Sequence, residues 1–516
     1  MNLGTNEVLG IPREDRAARS ERHFQTDHLL KDLSSRSFRG SVVTLGGQAV
    51  KFLLQMISTI VLARLLKPAD FGLVAMVSVL IVFIGMWTDL GLSNATVQRS
   101  EITQAQVSML FWVNCALSVG ATIMVAILAP VVAWFYHEPR LIRVTLALSS
   151  IFVLGGLTVQ HRALLRRQMR FKLITIIDCV SMAFGIGTGI AMASLGFGYW
   201  SLIGTQVGTT ATTCALVWAK CDWRPGAFKR RVGARPMLVF GGNLTAYTFL
   251  NYFTRNFDNI LIGRVLGASA LGIYSKGYAL LQLPLSQVSS PMAAVLLPSL
   301  SRLQNRPSEY AKLLLRAVEG MALISVPAVV FPFFLAQDVV FVLLGHQWLR
   351  VVPVFQLLAP AAAAGAIGIA PSWICQSLGR PQRQLHYALI SAPVCVIGFL
   401  IGIKWGVNGV AASFSITFPA LLCGFIWYST LGSSVKPSHI WLCFWSAFWP
   451  SCVAGLAAFA FRRALKSSVE PLMALALCAL VFGSLYLACT MLLKRSRLLI
   501  YAALASFRHG REVEAE

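Results

Sequence analysis

Apolar stretches of about 20 residues or more, separated by short polar turns, recur along the whole chain. They fall at 40–63, 71–92, 107–134, 141–160, 174–195, 199–219, 237–263, 271–298, 318–343, 351–376, 385–404, 408–429, 439–461 and 471–493. A helix rising 1.5 Å per residue needs about 20 residues to cross an apolar layer near 30 Å thick, so each stretch predicts one membrane-spanning helix. Fourteen such helices with short loops and tails use up a chain of 516 residues. The pattern predicts an all-α polytopic membrane protein with no sizeable domain outside the bilayer.

Composition agrees with the pattern. The chain is 56% hydrophobic and 12% charged, with a mean hydropathy of +0.69, against roughly 45–50% apolar and about 25% charged in soluble domains. The net charge of +24, from 44 Lys and Arg against 20 Asp and Glu, suggests nucleic acid in a soluble chain. In a membrane chain it asks instead on which side the cations lie. With the N-terminus in the cytoplasm, about 31 of the 44 fall in cytoplasmic segments, about 10 outside and three within spans. Both termini are therefore expected in the cytoplasm. The main contributors are HRALLRRQMRFK (161–172), KCDWRPGAFKRR (220–231) and SRLQNRPSEYAKLLLR (301–316). Arg462, Arg463 and Lys466 are the exception, basic on the expected outside. Residues 1–39 lack the apolar core of a signal peptide and read as a solvated tail, leaving insertion to the first helix. The eleven cysteines lie mostly in apolar runs without CxxC spacing and read as small buried hydrophobes.

The basic linker at 220–236 divides the chain into a six-helix bundle at 40–219 and a second at 237–430, followed by two additional helices within 431–493 and a tail at 494–516. The two halves begin alike. Gly46-Gly47 opens the first span and Gly241-Gly242 the seventh, while ARLLKPADFGL (63–73) parallels GRVLGASALGI (263–273), matching Arg64 to Arg264 and Gly72 to Gly272. Both copies occupy an odd-numbered helix, an exterior turn and the next helix, so this is a parallel repeat of the kind found in transporters that rock two halves around a central cavity. Chance likeness of Gly- and Leu-rich helices is the alternative.

Ionisable groups near the bilayer centre cost at least about 2.5–3.5 kcal/mol on insertion scales and commonly mark a pathway. Lys51 sits about ten residues into the first predicted span, with Gln48 and Gln55 on the same face. It reads either as a cation lining a cavity or as one half of a structural pair with a carboxylate on a neighbouring helix. The seventh span carries Asn243, Tyr247, Asn251 and Arg255 at steps of four, continued by Asp258 and Asn259. The eighth answers with Tyr274, Tyr278, Gln282, Ser286 and Ser290, with Lys276 off that line. These amides, hydroxyls and rings suit a sugar, although small and polar residues also serve helix packing. Arg255 and Asp258, at i and i+3, alternatively neutralise each other. Asp89 and Asp258 are candidates for ion coupling; Asp178 and Glu319 lie near the cytoplasmic ends of their helices, where the interface can solvate them. Prolines 284, 291 and 298 are expected to kink the eighth helix.

The chain has no GxxxxGK[ST], no HExxH and no GxSxG, and His161, His346 and His386 stand alone. No catalytic residue, metal or cofactor is expected, and transport would draw on an ion gradient, the membrane potential or the substrate's own gradient.

Two segments carry a resemblance: ARLLKPADFGLVAM (63–76) with TDLGL (88–92), and NFDNILIGRVLGASALGIYSKGYALLQLPLSQVSSPMAAVLLPSLSRLQ (256–304). They resemble the bacterial polysaccharide exporter and flippase family, in its Wzx-type, colanic acid exporter-like branch, within the superfamily that also holds MATE multidrug antiporters and the lipid II flippase. The resemblance extends over about residues 38–430. It implies two bundles around a central cavity and alternating-access movement of an undecaprenyl-pyrophosphate-linked oligosaccharide across the bacterial inner membrane. The partners implied are that substrate, membrane lipids and the polysaccharide polymerase and export machinery, with no nucleic acid. A multidrug cation antiporter and a membrane-embedded polysaccharide polymerase are the alternatives. Lys51 and Arg255 would supply cations to the pyrophosphate, and the sequence-read amides and hydroxyls would hold the glycan.

Overall fold

A computed structural model describes residues 33–89, 93, 96, 97, 102–227, 245–465, 469–493 and 497, and these are helical nearly throughout. The described residues divide into two compact units, one within Met1–Leu66 and Leu73–Phe249, the other within Lys67–Gly72 and Leu250–Glu516.

The first unit contains α1 (Leu33–Leu65), most of α2 (Pro68–Asp89), α3 (Gln104–Tyr136), α4 (Arg140–Arg167), α5 (Phe171–Ser194) and α6 (Trp200–Lys220). Helix α1 starts before the expected span, at Leu33, and its first turns carry Arg36 and Arg39. The run HRALLRRQMRFK, expected as a linker, is mostly the end of α4, with a turn only at 168–170. Its Ala, Leu and Arg are strong helix formers, and Arg166 and Arg167 sit at the C-terminal end of the helix dipole.

Helix α6 is too rich in Thr and Gly to pass for an apolar span by hydropathy alone. Packing explains its composition. Ser181, Gly185, Gly189 and Ala193 recur every fourth residue on α5 and are all buried. A Cβ at Gly185 or Gly189 would overlap Thr209 or Thr205 of α6, so the small-residue stripe lets the two backbones approach closely. The linker after α6 begins as part of the same bundle: Trp112 Nε1 donates to the Gly226 carbonyl at 2.9 Å, and the Gly226 N–H donates to Ser108 Oγ at 2.9 Å.

In the second unit the helical stretch Thr245–Arg302 breaks at Gly267, where φ is +81°, into α7 (245–266) and α8 (268–302). This left-handed value suits glycine alone. Helical structure continues through Pro284, Pro291 and Pro298. Then follow α9 (Pro307–Phe334), a short α10 (Ala336–Leu344), α11 (Val351–Gly365), α12 (Ala370–Ser377), α13 (Pro381–Gly402), α14 (Gly406–Thr430), α15 (Pro437–Ala464) and α16 (Pro471–Leu492). The expected span 351–376 is thus two helices, α11 and α12, joined by a turn. Counting that pair as one and leaving out α10, the described helices number fourteen, and ten stretches among them are long and apolar enough to cross a membrane.

The last hairpin docks on α9 and α10 through Leu335, Val339, Ala454, Ala458, Cys478 and Phe482. Tyr486 also donates its hydroxyl to the Leu323 carbonyl at 2.7 Å. Arg462 explains the basic group on the expected outside: its Nε and Nη2 donate to Asp338 Oδ1 at 3.0 and 2.9 Å. The pair is about three-quarters buried. Breaking a fully buried pair costs about 3–5 kcal/mol, and residual exposure reduces this to about 1–3 kcal/mol. Arg462→Ala is therefore expected to lower the melting temperature of the detergent-solubilised protein, and the exchange Arg462→Asp with Asp338→Arg to recover part of the loss. An unchanged melting temperature in Arg462→Ala would remove the pair from the stability of the hairpin.

Residues Lys67–Gly72 group with the second unit although the residues on both sides belong to the first. The Lys67 N–H donates to Asp70 Oδ2 at 3.0 Å at the start of α2. A Cβ at Gly72 would overlap the Ala268 carbonyl, and one at Gly272 would overlap the Pro68 carbonyl. Gly72 matches Gly272 and Pro68 matches Ala268 in the repeated motif, so the two copies meet reciprocally, as a local two-fold exchange of 68–72 with 268–272 requires.

Candidate functional site

Three ionisable side chains meet inside the first unit. Gly47 of α1 is buried, and its missing Cβ leaves room for the Thr175 methyl of α5. One turn further along each helix, Lys51 Nζ lies 3.5 Å from Asp178 Oδ2. On the other side of that carboxylate, Arg162 Nη1 of α4 lies 2.9 Å from Asp178 Oδ1. The three side chains are between 20% and 28% exposed. Two cations on one carboxylate leave a surplus positive charge.

The sequence reading placed Lys51 about ten residues deep in its span. Helix α1 runs without a break through Lys51, from Leu33 to Leu65. Its carboxylate neighbour, the alternative left open in the sequence, is present. Gln48 is half-buried and Gln55 exposed on the same helix. Arg162 escaped the sequence reading because it stood in a basic run assigned to a linker. The signal was Asp178, a lone carboxylate in an apolar stretch.

In the second unit, Asp258 of α7 is buried and accepts from the Tyr274 hydroxyl of α8 at 2.6 Å and from the Asn259 N–H at 2.8 Å. Arg255 is exposed and makes no ion pair among the described residues, so the expected neutralisation of Asp258 by Arg255 is replaced by a bond to Tyr274. Tyr274 is fully buried, with its hydroxyl engaged, and so acts here in packing rather than as an open sugar contact. Gln282 Nε2 donates to the Tyr278 hydroxyl at 3.0 Å, and the Tyr278 ring meets Phe414. Asn243 and the side chains of Asp89, Tyr247, Asn251 and Ser290 lie outside the described residues.

Lys276, on the opposite side of α8 from Tyr274, is a cation of another kind. Its Nζ stands 3.8 Å from the centroid of the Phe71 ring, and Phe71 in turn meets Trp348 edge-on at 5.3 Å. It makes no hydrogen bond or ion pair among the described residues. A cation over a ring gains about 0.5–2 kcal/mol, against an insertion cost of at least about 2.5–3.5 kcal/mol for a charge in a span. By that comparison the ring alone leaves Lys276 undercompensated.

Residues 61–353, more than half of the chain, match the family described as polysaccharide biosynthesis protein. The lipopolysaccharide biosynthesis protein WzxC of Escherichia coli (strain K12) is 24% identical over 426 residues, covering 81% of this chain and 85% of its own. The succinoglycan biosynthesis transport protein ExoT of Rhizobium meliloti (strain 1021) is 25% identical over 442 residues, covering 83% of this chain and 82% of its own. Among solved structures, the lipid II flippase MurJ in an inward closed conformation matches with a TM-score of 0.69 at 12% identity, over 89% of this chain and all of that one. That likeness concerns the fold. With its helical crossings and its family match over both copies of the repeated motif, the chain is a multi-pass membrane protein that belongs to the polysaccharide biosynthesis protein family.

Proposed function

We propose that this protein moves an undecaprenyl-pyrophosphate-linked oligosaccharide repeat unit from the cytoplasmic to the outer leaflet of the bacterial inner membrane, by alternating access, for surface or exopolysaccharide synthesis. The observation that carries this reading is the pair of cations on Asp178: Lys51 and Arg162 together exceed the carboxylate by one charge within a helical bundle. In such a low-dielectric setting a surplus cation favours a pyrophosphate and opposes a cationic drug, the cargo of the antiporter alternative. The names of WzxC and ExoT, a lipopolysaccharide biosynthesis protein and a succinoglycan biosynthesis transport protein, point the same way.

Arg255 is a further cation for the headgroup. Tyr278, Gln282, Gln48 and Gln55, with Asn243, Tyr247 and Asn251, are the proposed polar contacts of the glycan. Tyr274 joins them only if it leaves Asp258. Asp258 and Asp89 are proposed for ion coupling, and both termini are placed in the cytoplasm. The protein is a transporter without catalytic chemistry of its own, working beside the polymerase and export machinery.

The test deletes the gene, complements it with wild type, and follows radiolabelled lipid-linked repeat units by leaflet together with surface polymer. The expected result in the deletion is loss of polymer with repeats held on the cytoplasmic leaflet, reversed by complementation. Repeats that reach the outer leaflet unpolymerised would instead assign a polymerase, and an unchanged glycan would refute the reading.

A further inference from the structure

We propose that Lys276 is a second anion-binding position, specific for the phosphate-bearing headgroup of a lipid and capped in this conformation by the Phe71 ring. The proposal rests on the substrate class named above. Four observations support it.

First, the described cations at other packed positions have oxygen partners. Lys51 and Arg162 share Asp178, Arg462 holds Asp338, and Arg380 donates to the Leu431 and Gly432 carbonyls at 2.9 and 3.0 Å. Lys276 has a phenyl face instead. An ammonium carries three donors, and a ring face satisfies none of them as an oxygen would. Second, that ring belongs to Lys67–Gly72, a six-residue segment that groups with the second unit while its neighbours on both sides group with the first. The cap is therefore attached at both ends to another body of the protein. Third, the segment is seated through glycine: Gly72 against the Ala268 carbonyl and Gly272 against the Pro68 carbonyl. Backbone-on-backbone seating of this kind fits or parts as a unit, without side-chain rearrangement. Fourth, Phe71 is braced edge-on by the buried Trp348, which fixes the ring over Lys276.

When the segment lifts, the Lys276 ammonium loses its ring and presents its donors to an incoming anion; when it reseats, the ring displaces the anion. Capture and release thus alternate with the seating of the segment.

Undecaprenyl pyrophosphate serves as the probe, with undecaprenol as its uncharged counterpart, on full-length protein in phosphatidylcholine nanodiscs, with binding read by native mass spectrometry. Phe71→Leu keeps apolar bulk against Trp348 and removes the aromatic face. It is expected to tighten pyrophosphate binding about 3- to 30-fold and to leave undecaprenol binding unchanged. Adding Lys276→Met should cancel that gain, whereas adding Lys276→Arg should keep most of it. The proposal is overturned if Phe71→Leu gains nothing, if the gain survives Lys276→Met, or if undecaprenol shares it. Failure of folded wild type to bind the pyrophosphate lipid at all would overturn the substrate class itself, a result distinct from a wild type that binds through Lys51 and ignores Lys276.

Discussion

A valine at Gly72 is expected to remove most of the folded protein from the membrane. The Cβ it brings would occupy the position of the Ala268 carbonyl oxygen, and the obstacle is backbone, which has no rotamer to change. Overpacking relieved by side chains costs about 1–3 kcal/mol. With backbone on both sides, the expected cost for Gly72→Val exceeds about 3 kcal/mol, a large share of the roughly 5–15 kcal/mol that holds a typical protein folded. Gly272 meets Pro68 in the same way, so Gly272→Val is expected to match it. The two substitutions act on one seat, and their combined effect should fall short of the sum. Gly120, with nothing within 4 Å of an added Cβ, is the control: Gly120→Ala should accumulate and melt like wild type. Size-exclusion profiles and melting temperatures in detergent decide the matter. If Gly72→Val behaves like Gly120→Ala, the reciprocal seat does not exist in the membrane.

The seat also shows what a sequence can reveal. The two motif copies are visible as text because both glycines and both arginines keep their places at an offset of 200. Their mutual packing is not visible, since spacing along a chain fixes which residues share a face but not which face meets which. The crossings were readable because roughly 20 apolar residues have one economical structure in a bilayer. Even so, hydropathy alone undervalues α6, whose threonines face glycines of α5, and it misses the turn between α11 and α12, which carries no charged or strongly polar residue. The linker assigned to 161–172 failed for a related reason. Basic residues near a helix C-terminus read like a loop, and only the continued helix places Arg162 beside Asp178. Arg255 and Asp258 differ in the other direction: their spacing permits a pair, but the buried Asp258 accepts from the Tyr274 hydroxyl while Arg255 stays exposed.

Lys51→Ala and Arg162→Ala are each expected to cut export of lipid-linked repeats by about 10- to 100-fold while leaving the protein inserted, because each removes a charge-assisted contact worth about 1.5–3 kcal/mol to an anionic headgroup. Arg255→Ala should also reduce export. Stability separates substrate binding from simple ion pairing. Losing either cation leaves Asp178 with one partner, so the melting temperature should move little. Losing Asp178 leaves Lys51 and Arg162 as unneutralised neighbours, and Asp178→Ala is expected to destabilise by about 1–3 kcal/mol, discounted for the partial exposure of all three. Adding Lys51→Ala to Asp178→Ala removes that repulsion. The double variant should therefore regain stability without regaining export, a combination that a purely structural triad does not produce. If Lys51→Ala and Arg162→Ala both export normally, the cluster holds three helices together and the headgroup binds elsewhere. If export returns together with stability in the double variant, neither Lys51 nor Asp178 is needed by the headgroup, and the triad is structural.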